Sequence, residues 1–368
     1  MKNLLSVSLL LIVLLAPFNA AFSQGNLKLW YTKPARNWNE ALPIGNGRLG
    51  AMVFGRAGEE LIQLNEETLW SGGPTNTNPN PRAVEFLPKI REALLSENYK
   101  EAEELAKKMQ GPFTESYEPL GDVVLKYDFK GEPVDYYRDL DISTAIATTR
   151  FKVNGIEYKR EQFVSAPDQV VVIRLSASQK GALNFTASTR SPLVYKNAVI
   201  SQNELAMRGQ APVHTDPSYL STMEVPIIYN DPSKCRGMRF ELRVRAVKAD
   251  GKVESDGSGL HVSDATEVLL LLSAATSFNG FDKCPDRDGR DESELAKAYL
   301  NSAAPKNFEA LRKDHLTDYQ RYFNRVSLTI NNDQKIDLPT NERLKRYTEG
   351  KKNVESNKKN IESNKKNI

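Results

Sequence analysis

The sequence predicts a mainly β protein: a large antiparallel sandwich interrupted by one helical insertion and followed by helical segments. Three observations carry this reading. Short alternating segments recur through 120–280, separated by turn signals at the spacing of a sandwich and not of βαβ units. Val170 to Leu175 and Val268 to Leu272 are continuous apolar runs, short enough to be strands covered on both faces. Near residue 293 the apolar period changes to that of a helix.

The first 23 residues read as an export signal and are set aside from the fold. Lys2 supplies the positive region, Leu4 to Ala16 the apolar core, and Ala21-Phe22-Ser23 a small-x-small cleavage site before Gln24. No Cys stands at that site, so a lipid anchor is not expected, and no later run approaches the roughly 20 apolar residues of a membrane span. The expected destination is periplasmic or extracellular, with no membrane partner.

The strands follow. Phe151 to Val153, Asn154-Gly155, then Ile156 to Tyr158 is alternation broken by the favoured two-residue hairpin turn. Asp250-Gly251 makes a similar break after FELRVRAVKA. The helical insertion opens at Asn80-Pro81, read as an N-cap and first-turn proline, with Pro88 expected to kink or restart it. Tyr99, Ala102, Leu105, Ala106 and Met109 then form an apolar stripe suited to packing on the sandwich.

After 293, SELAKAYLNSA and NFEALRKDHLTDYQRYFNRV read as helices, the second with Phe308, Leu311, His315, Tyr319, Tyr322 and Phe323 near one face. Val326 to Ile330 is strand-like, and Thr340 to Arg343 has the pattern of a capping box opening a further helix. From Lys351 the chain becomes a seven-residue Lys/Asn/Glu/Ser repeat. Each repeat unit has one apolar residue (Val354, Ile361, Ile368) where a coiled-coil seam needs two, so 351–368 is expected to be disordered. The resulting division is 1–23 signal, 24–290 β domain, 291–350 incomplete helical linker, and 351–368 repeat.

Lys and Arg number 50 and Asp and Glu 47, a formal net charge of +3. Setting aside Lys2 and the repeat, whose six Lys face only Glu355 and Glu362, leaves 24–350 at about −2. The excess of positive charge belongs to the repeat, and nothing points to a nucleic-acid partner. The two cysteines, Cys235 and Cys284, lie in polar, turn-rich stretches. An oxidising compartment permits a disulfide between them; two unpaired thiols are the alternative. No His/Cys/carboxylate cluster has metal-ligand spacing, and neither a metal nor a cofactor is expected.

Three stretches are unusual for plain scaffold. WNEALPIGNGRLGAMVFG (38–55) sets glycines and a proline around Arg48. LNEETLWSGGPTNTNPNP (64–81) places Asn65, Glu66, Glu67 and Trp70 ahead of a Gly-Gly-Pro turn, and QAPVHTDPSYL (210–220) puts His214 and Asp216 between prolines. All three read as rigid loops at strand ends, where sandwiches place binding functions. GNGRLG (45–50) invites a nucleotide reading, but no βαβ pattern surrounds it, and a tight turn feeding a strand is the better account.

Together with YEPLGDVVLKYDF (117–129), these stretches resemble the N-terminal domain of glycoside hydrolase family 95, the α-L-fucosidases with some α-L-galactosidases. The resemblance runs from about Leu29 to Gly350. It implies an antiparallel β super-sandwich, a helical linker, then an (α/α)6 catalytic barrel and a C-terminal β domain. It also implies inverting hydrolysis of terminal α-L-fucosyl linkages in fucosylated oligosaccharides or glycans. DYQRYFNRVSL (318–328) and LPTNERLKRY (338–347) look like the linker leading toward the barrel. The family's general-acid Glu and the Asp base belong to that barrel, so no catalytic residue carries over to this sequence. The chain is therefore expected to be truncated before the barrel and inactive alone, with a surface shaped to pack on it.

Glu66 and Glu67 are adjacent in a strand end, so they point to opposite faces; Glu66 could meet Asp216 only if two loops converge, and loop-anchoring hydrogen bonds suit both better. Trp70 offers a flat platform for a sugar but equally a loop-packing role. His214 could line a pocket rim in a complete enzyme or be buried among its prolines, while His261 and His315 carry no motif. Asn65, Glu66, Trp70, His214 and Asp216 are thus the substrate-proximal candidates. A free-standing carbohydrate-binding module is the alternative to a glycosidase fragment.

Overall fold

The computed structural model describes residues 27–111, 114–217, 219, 226–232, 235–328 and 337–349; the signal-like segment and the Lys/Asn repeat lie outside these residues. In chain order the strands are β1 (Lys28–Tyr31), β2 (Leu42–Gly45), β3 (Leu49–Val53), β4 (Glu59–Glu66), β5 (Gly121–Tyr127), β6 (Val134–Asp141), β7 (Ile146–Val153), β8 (Ile156–Ser165) and β9 (Val170–Ala177). Then come β10 (Leu183–Arg190), β11 (Val194–Ser201), β12 (Glu204–Gln210), β13 (His214–Thr215), β14 (Ile227–Ile228), β15 (Arg239–Ala249), β16 (Lys252–Asp256), β17 (Gly259–Ala265) and β18 (Glu267–Thr276). The helices are α1 (Leu87–Leu95), α2 (Tyr99–Lys107), α3 (Glu292–Ala303) and α4 (Phe308–Phe323), and a further helix covers 340–349.

Nine strands form one antiparallel sheet in the order β1-β6-β7-β8-β9-β18-β15-β12-β11. Seven form the other, β16-β17-β10-β5-β4-β3-β2, and β13 pairs with β14 in a small ribbon. The two large sheets face each other as the expected antiparallel sandwich. The apolar runs show why three layers result. In β9, Val171, Ile173 and Leu175 join the core between the sheets, while Val170 and Val172 face a second cluster with Leu300, Phe308 and Leu311 from α3 and α4. In β18, Val268, Leu270 and Leu272 alternate with Leu269 and Leu271 in the same way. Strands apolar on both faces are stable because helices cover the outer one.

Asn154 and Gly155 both take positive φ and close the tight hairpin between β7 and β8 as the sequence predicts. Asp250-Gly251 behaves differently. It is a turn, but β15 and β16 lie in different sheets, so it carries the chain across the sandwich. The Asp250 carboxylate accepts from the Thr266 and Glu267 amides and fixes that crossing; these backbone bonds hold its pKa down at about 2.

The insertion also departs from expectation. A 3-10 turn at Ala83–Glu85 precedes α1, which Pro88 opens at its first turn, so the proline restarts the helix. Asn80 does not cap that start. Its side-chain amide donates to the carbonyls of Lys108 and Gln110 and closes the far end of the excursion instead. α1 and α2 pack chiefly on each other and not on the sandwich; of the predicted stripe Ala102 is buried, whereas Tyr99 and Ala106 are exposed.

On α4, Phe308, Leu311 and His315 are buried as their spacing predicts, and the Tyr319 hydroxyl donates to the Ile142 carbonyl, but Tyr322 faces solvent. Residues 326–328 form no strand, and 329–330 lie outside the described residues. Thr340 opens its helix, yet its hydroxyl accepts from the Trp30 amide on β1. Among the described residues no helix is long and apolar enough to cross a membrane.

Candidate functional site

The site lies where the 65–73, 114–118 and 211–216 segments meet. It starts from the β2–β3 turn. Gly47 takes positive φ, Asn46 accepts from the Arg48 and Leu49 amides, and the Arg48 side chain is thereby aimed into the sandwich end. There it donates to the Ala274 carbonyl at 2.7 Å and the Gln169 side chain at 2.5 Å, and lies 4.7 Å over the Tyr299 ring. Arg48 thus stitches one sheet to the other and to α3.

Glu66, at the end of β4, is part of this stitch. One carboxylate oxygen faces Arg48 at 3.3 Å; the other accepts from the Thr68 amide and hydroxyl at 2.7 and 2.6 Å. Glu66 is buried and Glu67 exposed, the opposite facing that their adjacency predicts. Both Glu66 oxygens anchor local structure.

Past β4 the pairing continues for a few residues. The Ser71 amide donates to the Ser116 carbonyl, the Glu118 amide to the Leu69 carbonyl, and Trp70 sits opposite Tyr117 in an isolated bridge. Alternation then sorts the side chains. Leu69 and Glu118 are buried on one face, while Trp70 and Tyr117 emerge together on the other, 42% and 44% exposed. Their ring centroids are 5.4 Å apart at 54°, the Trp70 indole N–H donates to the Glu67 carbonyl at 3.1 Å, and the Tyr117 hydroxyl lies beside Asn65. Burial, with the Glu66 and Glu67 charges nearby, pushes the Tyr117 phenol up.

The second group gathers around His214 on β13. Glu115 receives the imidazole Nδ1 at 2.9 Å, the Ser71 hydroxyl at 2.8 Å and the Thr215 amide at 3.1 Å. His214 Nε2 lies 3.1 Å from Asp216, and Thr215 donates to Glu118 at 3.1 Å. Gly72, at positive φ, makes room, because a Cβ there would sit 2.5 Å from Glu115. Its amide donates to the Pro212 carbonyl and ties the ribbon to the loop.

Hydrogen bonding to Glu115 raises the His214 pKa above its ordinary value; burial opposes this and Asp216 adds to it. Burial pushes Glu115 up, but its bonds from His214, Ser71 and the Thr215 amide prevail and leave it lowered. Burial also pushes Glu118 up, against its bond from Thr215 and with the Glu115 charge adding to the rise.

A pH dependence follows. A raised His214 contributes stability that is complete below its unfolded pKa and is lost as pH rises through the folded one. A lowered Glu115 contributes above its unfolded pKa and loses it as pH falls. The clamp is therefore strongest between the ordinary Glu and His values. Raising pH from 6 to above the folded His214 pKa should lower the melting temperature by about 1–2 °C, and His214→Gln should abolish that increment. Thermal melts of both proteins across pH 5–9 measure it.

Cys235 and Cys284 are joined in a disulfide with Cα atoms 5.6 Å apart. Cys235 packs beside Gly73, and the Thr75 amide donates to the Phe281 carbonyl, so the Gly-Gly-Pro turn rests on the bridged loops. Cys235, Cys284 and Asp286 are the one grouping among the described residues with spacing for a metal, but both sulfurs are consumed by the bond.

The structure thus separates the five sequence candidates. His214 and Asp216 come together with Glu115, which the sequence reading passed over; Asn65 and Trp70 meet through Tyr117 on the other face; Glu66 is an anchor. Tyr117 heads the block 117–129 already singled out, and that signal could have found it. Glu115 carries no motif and is recognised only through the room that Gly72 leaves.

Residues 29–280 match the family described as glycosyl hydrolase family 65, N-terminal domain, and residues 307–360 match the glycosyl hydrolase family 95 catalytic domain. "Alpha-L-fucosidase 2" of Arabidopsis thaliana is 35% identical over 342 residues, 90% of this chain and 39% of that protein. "Probable alpha-fucosidase A" of Aspergillus niger is 29% identical over 359 residues, 92% of this chain and 42% of that protein, and its Aspergillus oryzae counterpart is 27% identical over 319 residues, 82% and 41%. The chain spans about two fifths of the length of these relatives.

Proposed function

Because the chain belongs to the family of glycosyl hydrolase family 65 N-terminal domains, in the form carried by family 95 glycosidases, we propose that it is the N-terminal part of an exported α-L-fucosidase-like hydrolase. The observation that carries this reading is the 35% identity to "Alpha-L-fucosidase 2" over nine tenths of the chain. In the whole enzyme a terminal α-L-fucosyl linkage of an oligosaccharide or glycan is hydrolysed with inversion. A carboxylic acid gives its proton to the leaving oxygen while a carboxylate takes one from the attacking water, the two standing roughly 6.5–9.5 Å apart.

The described residues frame and bind; they do not cleave. Glu66 is committed to Arg48 and Thr68, Asp216 faces His214, and Glu115 is saturated by three donors. The acid and base are assigned to the family 95 catalytic domain, which residues 307–360 match; α3 precedes that match and α4 lies within it. Export to an oxidising compartment is supported by the signal-like start of the sequence and by the Cys235–Cys284 pair.

Proton NMR of 2'-fucosyllactose tests the reading. The chain alone should release no fucose over a day, and the chain followed by a family 95 catalytic domain should release L-fucose, seen first as the β anomer. Turnover of about 1 per second or more by the chain alone, or initial release of the α anomer by the joined protein, rejects it.

A further inference from the structure

We propose that Trp70 and Tyr117, with Asn65 and Glu67 beside them, form a sugar-stacking platform that holds the apolar face of a neutral pyranose unit. The two rings stand 5.4 Å apart at 54°, and each is a little over two fifths exposed. They are held there, since the backbone bridge sets both on one face, the indole N–H is tied to the Glu67 carbonyl, and the Tyr117 hydroxyl is backed by Asn65. Two large aromatic surfaces fixed in water forgo burial free energy, whereas the same atoms folded over would have been sheltered. A pyranose supplies what this shape lacks: C–H groups on one face to cover the indole, and hydroxyls at its edge to donate to the Glu67 carboxylate and exchange hydrogen bonds with the Asn65 amide.

The surroundings narrow the ligand. Glu66 is paired with Arg48, but exposed Glu67 leaves a negative charge near the Tyr117 hydroxyl, which favours hydroxyl donors and disfavours carboxylated or sulfated sugars. Trp38 provides the contrast. It is more exposed, at 59%, but stands on a 3-10 turn with no second ring beside it among the described residues, so exposure alone does not make the platform. That the unit is an α-L-fucosyl residue rests on the fucosidase-like reading above; the platform itself does not.

Calorimetric titration of the chain with 2'-fucosyllactose, lactose and 3'-sialyllactose tests this. Saturable binding of 2'-fucosyllactose with a dissociation constant of roughly 0.1–10 mM is expected, weaker for lactose and absent for the sialylated sugar. Trp70→Ala and Tyr117→Ala should each weaken it at least tenfold, Trp70→Phe by less, and Trp38→Ala not at all, each variant melting cooperatively as wild type does. Trp70-dependent binding of lactose equal to that of 2'-fucosyllactose keeps the platform and counts against the fucosyl reading. No saturable binding, binding unchanged in cooperatively folded Trp70→Ala and Trp70→Phe, or preference for the sialylated sugar overturns the platform, and leaves the fucose-release assay to judge the activity by itself.

Discussion

Replacing Arg160 with methionine should lower stability by about 3–5 kcal/mol and the melting temperature by roughly 10 °C. Arg160 on β8 and Glu60 on β4 are both fully buried between the sheets, with Nη2 and the carboxylate 2.9 Å apart. Glu60 also accepts from the Gly55 amide at 2.8 Å, and Arg160 donates to the Arg56 carbonyl at 2.5 Å and stacks near Tyr127 and Phe151. The pair is close but poorly bonded. Arg160 Nε and Nη1, the second Glu60 oxygen and both polar ends of Gln162 find no well-aligned partner.

Burial pushes the Glu60 carboxyl above its ordinary value even against the Arg160 charge, so removing that charge strands the acid and forces it to take up a proton. The double change Glu60→Met/Arg160→Met should recover most of the loss and end within about 1 kcal/mol of wild type, because the penalty lies in the orphaned partner and not in the missing attraction. Urea unfolding of the single and double variants measures both. An Arg160→Met protein within 1 kcal/mol of wild type would show that the buried charge needs no counterion.

The second large effect is expected at the disulfide. Cys235 and Cys284 are 49 residues apart in sequence, and releasing a loop of that length costs about 4 kcal/mol in the chain-entropy account. Cys235→Ala/Cys284→Ala should melt about 8 °C lower than wild type, and wild type in strong reductant should approach the same temperature. Buried Cys284 should make reduction of the folded protein slow, so the reductant must be present through unfolding. A melt indifferent to reductant would mean the bridge closes no constraint that matters.

The antiparallel sandwich was legible because its signals are periodic. The two-sided burial of β9 and β18 follows from runs of apolar residues that no half-buried strand would carry, and Asn154-Gly155 specifies its own hairpin. What escaped reading depends on partners distant in sequence. Asp250-Gly251 has the same local chemistry as a hairpin turn, yet the strand it feeds pairs in the other sheet. Asn80 has the residue type of an N-cap, but its amide meets carbonyls 28 and 30 residues later. Within the site, Glu66 and Glu67 were correctly set on opposite faces by strand alternation. The meeting of Glu115 with His214 across 99 residues could not be read, since His214 lies in a stretch singled out by its prolines but Glu115 sits in no recognisable pattern.

Asn80 carries one more implication. By fastening the outgoing end of the 80–110 excursion to its beginning, it makes that excursion a closed loop whose two feet are already side by side. Length changes between the feet need not disturb the register of β4 against β5, so an insertion or deletion placed there should leave the sandwich beneath intact.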